Sequence, residues 1–274
     1  MPEGPEIRRI ADQLTTALAG QKVTQLYFAF AKLKKYQSRL KGVRIKSVEA
    51  RGKALLSHFE NGYTIYSHNQ LYGRWFITPK GEKPDSQRQL RLAIHTAQQT
   101  AWLYSASEIV VLKADELANH PYLSRLGPDL LDAAMNIETV VARLAEQRFR
   151  RRGLIRLLQD QQVLSGMGNY LCCEALHLSR LHPQTRPADL SARQLRALAK
   201  NCLHLIRQSY RTGGITNDLQ RAKRLRKQGS SFEASRFYVY RRQAQPCYQC
   251  GTLISKVKMG GSPVYYCASC QPPV

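Results

Sequence analysis

The sequence of 274 residues predicts an α+β protein: an N-terminal helix with a β-sandwich domain, then a helical domain that ends in a cysteine-rich ribbon. Its hydrophobic period is helical at the start and changes to short alternating runs over residues 23–112. Beyond Gly127-Pro128-Asp129 the period is helical again, and four cysteines lie near the end. The length suits about two domains of ordinary size.

The first domain is expected to begin with one amphipathic helix over residues 5–18, since its apolar side chains share a stripe and Gly20 is a typical stop signal. That stripe consists of Ile7, Ile10, Ala11, Leu14, Ala17 and Leu18. Short β-rich runs follow at residues 43–48, 63–66, 90–94 and 109–112. They predict a β-sandwich, with a barrel-like arrangement as the alternative.

The second half is predicted to be helical. Ser191 and Gln194 form a capping-box pattern ahead of an apolar helical stripe. Residues 211–231 lose this periodicity and are predicted to form a basic loop. The segment contains Arg221, Lys223, Arg224, Arg226 and Lys227.

The charge balance indicates a polyanionic partner. The chain carries 42 Lys and Arg against 19 Asp and Glu, a net charge of +23. Repulsion of this size opposes compaction, so a nucleic acid that supplies the counter-charge is the favoured partner. A solubilising surface and an anionic membrane face remain alternatives. The longest apolar run, residues 26–31, is far too short to span a bilayer, and the start has no secretion signal, which favours the cytoplasm.

The seven cysteines fall into two groups. Cys172, Cys173 and Cys202 lie in helical patterns and are expected to pack in the core. Cys247, Cys250, Cys267 and Cys270 have the spacing C-x2-C-x16-C-x2-C, typical of a four-thiolate structural zinc site. Two disulfides are the alternative, which the odd cysteine count and the missing secretion signal disfavour.

The N-terminus offers a possible nucleophile. Removal of the initiator methionine before Pro2 would leave a secondary amine. An α-amino group titrates near pH ~8, against ~10.4 for lysine, so part of it is unprotonated at neutral pH. Such an amine attacks a sugar aldehyde carbon to form an iminium, and Glu3 is positioned to transfer protons. The alternative is a commonplace start, with Pro5 as a first-turn helix proline.

Five motifs in register carry a family resemblance: MPEGPEIRR, Arg51-Gly52-Lys53, His68 to Gly73, Gly166 to Tyr170 followed by Glu174, and the four-cysteine ribbon. Over nearly its whole length the chain resembles the formamidopyrimidine-DNA glycosylase and endonuclease VIII family of base-excision repair enzymes, most closely the bacterial endonuclease VIII branch. The resemblance implies a catalytic β-sandwich domain at 1–125, a hinge at 126–136, a helix-two-turn-helix DNA-binding domain at 137–235 and a zinc finger at 236–274.

The resemblance also implies catalytic roles. Pro2 would attack C1′ of the damaged nucleotide, Glu3 would act as the general acid, and Lys53 would contact a nearby phosphate. Glu6 and Glu174 match acidic residues near the family's site. Read without the family, Lys53 is a solvated surface lysine, and the two glutamates are helix-start carboxylates.

Further implied roles concern DNA binding. Gln70, Leu71 and Tyr72 would fill the gap left by an extruded base. Asn169 would donate to a phosphate at a helix start. Leu71 and Tyr72 as core residues at a strand end, and Asn169 in a plain interhelical turn, are the alternatives.

One position departs from the family. An arginine that grips phosphates is expected in the zinc hairpin a few residues before the third cysteine, where this chain has Ser262. Serine cannot form a cationic fork, although Lys256 and Lys258 are near in sequence.

The resulting expectation is a bacterial, nucleoid-associated, monomeric DNA glycosylase and abasic-site lyase. It would excise oxidised pyrimidines from double-stranded DNA through an imine at Pro2 and cut the strand by β,δ-elimination. One structural Zn²⁺ is its expected cofactor. A non-catalytic damaged-DNA-binding protein and a preference for oxidised purines are the alternatives.

Overall fold

A computed structural model describes residues 2–273. The chain divides between Arg125 and Leu126 into two compact units, unit 1 before and unit 2 after that point. The predicted α+β class and its order of elements are confirmed. No helix within the described range is both long and apolar enough to cross a membrane. The hinge at 126–136 and the boundary at 235/236 stay predictions.

Unit 1 contains three α-helices and eight strands in its described part. The helices are α1 (Gly4–Leu18), α2 (Lys35–Leu40) and α3 (Ala114–Ala118). The strands are β1 (Gln25–Phe28), β2 (Ile45–Arg51), β3 (Ala54–Phe59), β4 (Thr64–His68), β5 (Arg74–Pro79), β6 (Leu90–His95), β7 (Gln99–Tyr104) and β8 (Glu108–Leu112). They form two antiparallel sheets, in the orders β1-β6-β7-β5 and β2-β3-β4-β8.

The two sheets and α1 share one apolar core, which makes the unit a sandwich. Leu14 and Leu18 of α1 are fully buried in the same cluster as Phe28 of the first sheet and Leu55 of the second. The helix forms because its stripe matches the 3.6-residue period and Pro5 lies in its first turn, where the missing N–H costs nothing. The predicted helix at 5–18 is therefore confirmed.

Unit 2 joins a helical layer to a two-stranded ribbon. Its helices are α4 (Ile137–Ala145), α5 (Leu154–Gln159), α6 (Asn169–Leu178), α7 (Ala192–Thr212), α8 (Leu219–Lys227) and α9 (Phe232–Ser235), and its strands are β9 (Ser255–Met259) and β10 (Ser262–Tyr266). Leu171, Cys202 and Val264 are fully buried in one cluster, so the ribbon packs on the same core as the helices. Cys172 and Cys173 are buried there too, and burial raises the pKa of the Cys202 thiol to about 12, as expected for core cysteines.

The prediction of a basic loop over residues 211–231 is wrong. Nine of its residues form the helix α8, which Asp218 begins by accepting a hydrogen bond from the Arg221 N–H. Ser231 caps the short helix α9. The hydrophobic pattern did not predict α8 because this helix has one buried residue, Ala222, and therefore no apolar stripe.

Candidate functional site

The N-terminus of unit 1 is held firmly at the start of α1. Pro2 is half-buried, and Glu3 is only 3% exposed. The backbone N–H of Glu3 donates to Oε2 of Glu6 at 2.9 Å, and the carbonyl of Glu3 accepts from Ile7 at 3.0 Å. Glu6 thus serves to fix the backbone next to Pro2, which is the capping-box arrangement.

The direction of α1 follows from its bonds to β2. The Gly20 N–H donates to the Ile45 carbonyl at 2.8 Å, and Thr15 Oγ1 donates to the Val48 carbonyl at 2.7 Å. The helix and the strand therefore run antiparallel, so the N-terminal end of α1 lies beside the C-terminal end of β2. The N-terminus of α1 consequently points toward the turn between β2 and β3, which contains Lys53.

Lys53 follows Gly52, whose φ of +60° makes the tight β2–β3 turn. Lys53 is half-buried, and its backbone N–H donates to the Tyr122 hydroxyl at 3.0 Å. Burial lowers the pKa of His68, and the positive charge of Lys53 acts in the same direction while Glu108 opposes it. Among the described residues Lys53 has no ion-pair partner, so its ammonium is available to an external anion.

Residues 70–72 form an exposed loop after β4, at the same end of the second sheet as the Lys53 turn, since Ala54 pairs with His68 and His68 with Glu108. Leu71 is 58% exposed and Tyr72 is 69% exposed. The alternative in which they are core residues is therefore wrong.

The loop is nevertheless well supported. Ser107 Oγ donates to Gln70 Oε1 at 2.7 Å, and Gln70 Nε2 donates to Glu108 Oε2 at 3.2 Å. A Cβ at Gly73 would lie 2.6 Å from the Asn69 carbonyl oxygen, so only glycine permits this close approach. Two large side chains are thus presented to solvent from a fixed base. Sequence reasoning did not single out Glu108, whose only signal was its place before a β-rich run.

In unit 2, Asn169 is the first residue of α6 and joins three elements. Its Oδ1 accepts from Gln159 Nε2 of α5 at 2.8 Å, and its Nδ2 donates to the Pro263 carbonyl of β10 at 2.8 Å. An amide nitrogen carries two N–H donors, and within the described part of the chain one of those of Asn169 has no acceptor. The side chain is therefore held in place with one donor left over.

Glu174 lies in the second turn of α6 and is fully buried. Its two oxygens accept from the backbone N–H groups of Tyr238, Val239 and Tyr240 at 2.7–2.9 Å and from Thr216 Oγ1 at 2.6 Å. Burial raises its pKa, and these four donors oppose the shift. The interpretation of Glu174 as a helix-start carboxylate is wrong: it fastens residues 238–240 to α6.

The four ribbon cysteines converge, since their sulfur atoms all lie within 4.8 Å of one another. The shortest distances are 3.4 Å for the pairs Cys250–Cys267 and Cys250–Cys270, and 3.9 Å for Cys247–Cys270. A tetrahedral zinc with Zn–S bonds of about 2.3 Å requires separations close to these. The four thiolates fit one structural zinc ion with no open coordination position, and the predicted zinc site is confirmed.

The described residues thus form a β-sandwich unit that begins with one helix, followed by a helix-rich unit with a four-cysteine ribbon. Three family models match successive parts of the chain: the formamidopyrimidine-DNA glycosylase N-terminal domain at 1–106, its H2TH domain at 126–221, and the zinc finger found in FPG and IleRS at 244–273. The chain belongs to the formamidopyrimidine-DNA glycosylase family.

Relatives named Endonuclease 8 match it over 271 residues, which is 99% of this chain and 100% of each relative. The protein from Salmonella arizonae is 47% identical and that from Escherichia coli is 46% identical. The fold is also that of a Lactococcus lactis Fpg solved with abasic-site DNA, at 18% identity and a TM-score of 0.81 over 99% of this chain and 100% of that one. The family models and the Endonuclease 8 relatives identify the chain as a DNA glycosylase of this family, with abasic-site lyase activity.

Proposed function

We propose that this enzyme excises oxidised pyrimidines from double-stranded DNA and then cuts the strand, with the amine of Pro2 as nucleophile. The initiator Met1, whose removal the proposal requires, lies outside the described residues. The observation that carries the proposal is the direction of α1, which brings Pro2 and Glu3 toward the sheet end that holds Lys53 and the 70–72 loop.

The first chemical step replaces one bond at C1′ with another. The secondary amine attacks C1′, the bond to the base breaks, and the base leaves as its anion and takes up a proton. Glu3 is suited to protonate the sugar oxygen as the ring opens, because it is buried next to the attacking nitrogen and fixed by the α1 cap. The product is an iminium between Pro2 and the opened sugar.

The iminium then promotes strand cleavage. It acidifies the C2′ hydrogens, so loss of a proton there expels the 3′ phosphate in β-elimination, and a second elimination expels the 5′ phosphate. The ammonium of Lys53 has no carboxylate partner in the described part of unit 1 and is proposed to bind a phosphate beside the lesion. No oxidant or reductant is consumed in these steps.

Access to C1′ requires that the damaged nucleotide leave the base stack, which costs a few kcal/mol. We assign the filling of the vacated space to Leu71 and Tyr72, which are exposed, and the reading of the opposite strand to Gln70, which supports them. This contiguous triplet is the basis for proposing pyrimidine rather than purine lesions. The spare N–H of Asn169 is assigned to a DNA phosphate.

A strand-cleavage assay tests the proposal. Duplexes that carry thymine glycol, 8-oxoguanine or an abasic site are incubated with the enzyme, and the products are separated on a denaturing gel. We expect faster cleavage at thymine glycol than at 8-oxoguanine, and phosphate at both new ends. Faster cleavage at 8-oxoguanine would support the purine alternative instead.

Ser262 favours one other function, a damaged-DNA-binding protein that lacks turnover. That protein would leave the abasic duplex intact in the cleavage assay and would shift it on a native gel. Covalent trapping of the wild-type chain by borohydride, and its loss when the N-terminal amine is blocked, would exclude it.

A further inference from the structure

Arg156 is an exposed cation on a firmly buried helix. In α5 its neighbours Leu154, Ile155, Leu157 and Leu158 are all buried in the core of unit 2. The backbone of Arg156 is therefore fixed, while its side chain leaves the core and reaches the surface.

The guanidinium of Arg156 lies against the turn of the zinc hairpin, here meaning residues 255–266. A Cβ at Gly260 would lie 2.7 Å from Nε of Arg156 and 3.3 Å from its Cζ. Gly260 and Gly261 connect β9 to β10, and Ser262 follows directly. A charged group from a residue about a hundred positions earlier thus occupies the tip of the hairpin.

The same surface contains the other polar groups of this corner of unit 2. Gln159, one helical turn after Arg156, donates to Asn169, and Asn169 donates to the Pro263 carbonyl. Arg156, the spare donor of Asn169 and the hairpin turn therefore lie along one continuous edge.

Several arginines of unit 2 have acidic partners, and Arg156 has none among the described residues. Arg143 pairs with Glu146, Arg152 with Asp160, Arg196 with Glu138 and Arg236 with Glu233. For Arg156 no such bond exists within residues 2–273. Its planar fork of donors remains available, and that fork matches a phosphate.

We propose that Arg156 binds a backbone phosphate of the DNA at the zinc hairpin and so supplies the guanidinium that Ser262 cannot. The inference rests on the proposed function, since it assigns a further DNA-binding residue to the same enzyme. Gly260 is part of this arrangement because any larger residue there would displace the guanidinium.

Binding to a duplex with a tetrahydrofuran abasic analogue tests the inference. We expect Arg156→Ala to weaken binding about tenfold, the effect of losing one charged hydrogen bond, and to lower the slope of log K against log salt by about 1. Arg193→Ala on α7 is the matched control, since Arg193 is also exposed and has no ion pair in the described part of unit 2. It is expected to change the affinity less than twofold.

An arginine introduced at position 262 distinguishes a local role of Arg156 at the hairpin from a general effect of positive charge on DNA binding. Ser262→Arg is expected to restore the affinity of Arg156→Ala to within about twofold of the wild type and to add little to the wild type itself. An equal gain in both backgrounds would mean that the two positions are independent, which would overturn the inference.

The two turn glycines provide a third test. Gly260 and Gly261 both have positive φ, at +59° and +86°, so alanine strains the backbone at either position. Only the Cβ at 260 meets the guanidinium, since nothing lies within 4 Å of one at 261. Gly260→Ala should therefore weaken binding several-fold more than Gly261→Ala, and equal losses would contradict the inference.

Failure of the inference is distinguishable from failure of the proposed function. If Arg156→Ala binds like the wild type while the wild type still cleaves thymine-glycol DNA, the inference is wrong and the function stands. If the wild type neither prefers the abasic analogue over undamaged duplex nor cleaves damaged DNA, the proposed function itself is wrong, and the inference falls with it.

Discussion

The 70–72 loop of unit 1 and the buried Glu174 of unit 2 hold their side chains in opposite ways. In unit 1, Leu71 and Tyr72 extend into solvent from a loop supported by Gln70. In unit 2, Glu174 is fully buried, and its two oxygens accept hydrogen bonds from four donors of its own chain. Side chains of the first kind are free to meet an external ligand, whereas those of the second kind decide the shape of the surface that meets it. Substitution of Leu71 should therefore affect function with little effect on stability, whereas substitution of Glu174 should affect both.

Removal of zinc should have the largest effect and should be confined to unit 2. Structural zinc contributes roughly 10–16 kcal/mol in small zinc peptides, so its loss is expected to unfold the hairpin and abolish DNA binding. Trp75 and Trp102, the two tryptophans of the chain, both lie in unit 1 and report on it alone. Chelation should therefore abolish the gel shift with little change in tryptophan fluorescence. A loss of both signals together would show that zinc removal also unfolds unit 1.

Glu174→Ala should destabilise unit 2 more than the loss of any exposed side chain. It removes the shared acceptor of the Tyr238, Val239 and Tyr240 backbone N–H groups, of which that of Val239 is buried, at a cost of about 3 kcal/mol in the free energy of unfolding. Urea unfolding followed by circular dichroism measures this cost. The unfolding of unit 1, followed by tryptophan fluorescence, should keep its midpoint. A loss below about 1 kcal/mol, the worth of a single ordinary hydrogen bond, would show that the buried carboxylate is not the fastening of residues 238–240.

Leu71→Ala should impair excision with little effect on stability, the opposite of Glu174→Ala. Because the side chain is 58% exposed, the melting temperature should barely change. Single-turnover excision of thymine glycol should slow about tenfold, since roughly 1.4 kcal/mol of gap-filling contact is lost. Leu253→Ala, at the same 58% exposure in unit 2, is the matched control and should leave excision unchanged. Equal slowing in both variants would show that the 70–72 loop has no specific role in filling the gap.

The smallest expected effect concerns the pH dependence of unit 1. Burial places the pKa of His68 below its ordinary value, so folding favours the neutral ring. The unfolded chain then binds more protons, and the stability that this histidine contributes is present above about pH 6.5 and is lost as the pH falls through the folded pKa. Urea midpoints from tryptophan fluorescence should fall less steeply below about pH 6.5 in His68→Gln. An unchanged slope would assign the acid sensitivity to other groups.

Sequence patterns predict the features of this chain that are local or regularly spaced. The stripe of α1, the β-rich runs and the C-x2-C-x16-C-x2-C spacing each lie within one segment, and the structure has all of them. The helix α8 was missed because its face is charged rather than apolar. Its single buried residue leaves no hydrophobic period to detect.

Such patterns do not predict contacts between segments that are distant in the sequence. Glu174 meets residues 64 to 66 positions away, and Asn169 meets one 94 positions away. Nothing in the spacing of these residues indicates which partners the fold brings to them. The approach of Arg156 to Gly260 is of the same kind, which is why Lys256 and Lys258, close to Ser262 in sequence, were the candidates that sequence reasoning found.

The central claim about the chemistry is that the attacking nitrogen is the amine of Pro2. After borohydride reduction in the presence of thymine-glycol duplex, the cross-linked enzyme is digested and its peptides are weighed by mass spectrometry. We expect the N-terminal peptide, which begins at Pro2 and lacks Met1, to carry the sugar remnant. A remnant on an internal lysine such as Lys53, or on a peptide that retains Met1, would contradict this claim.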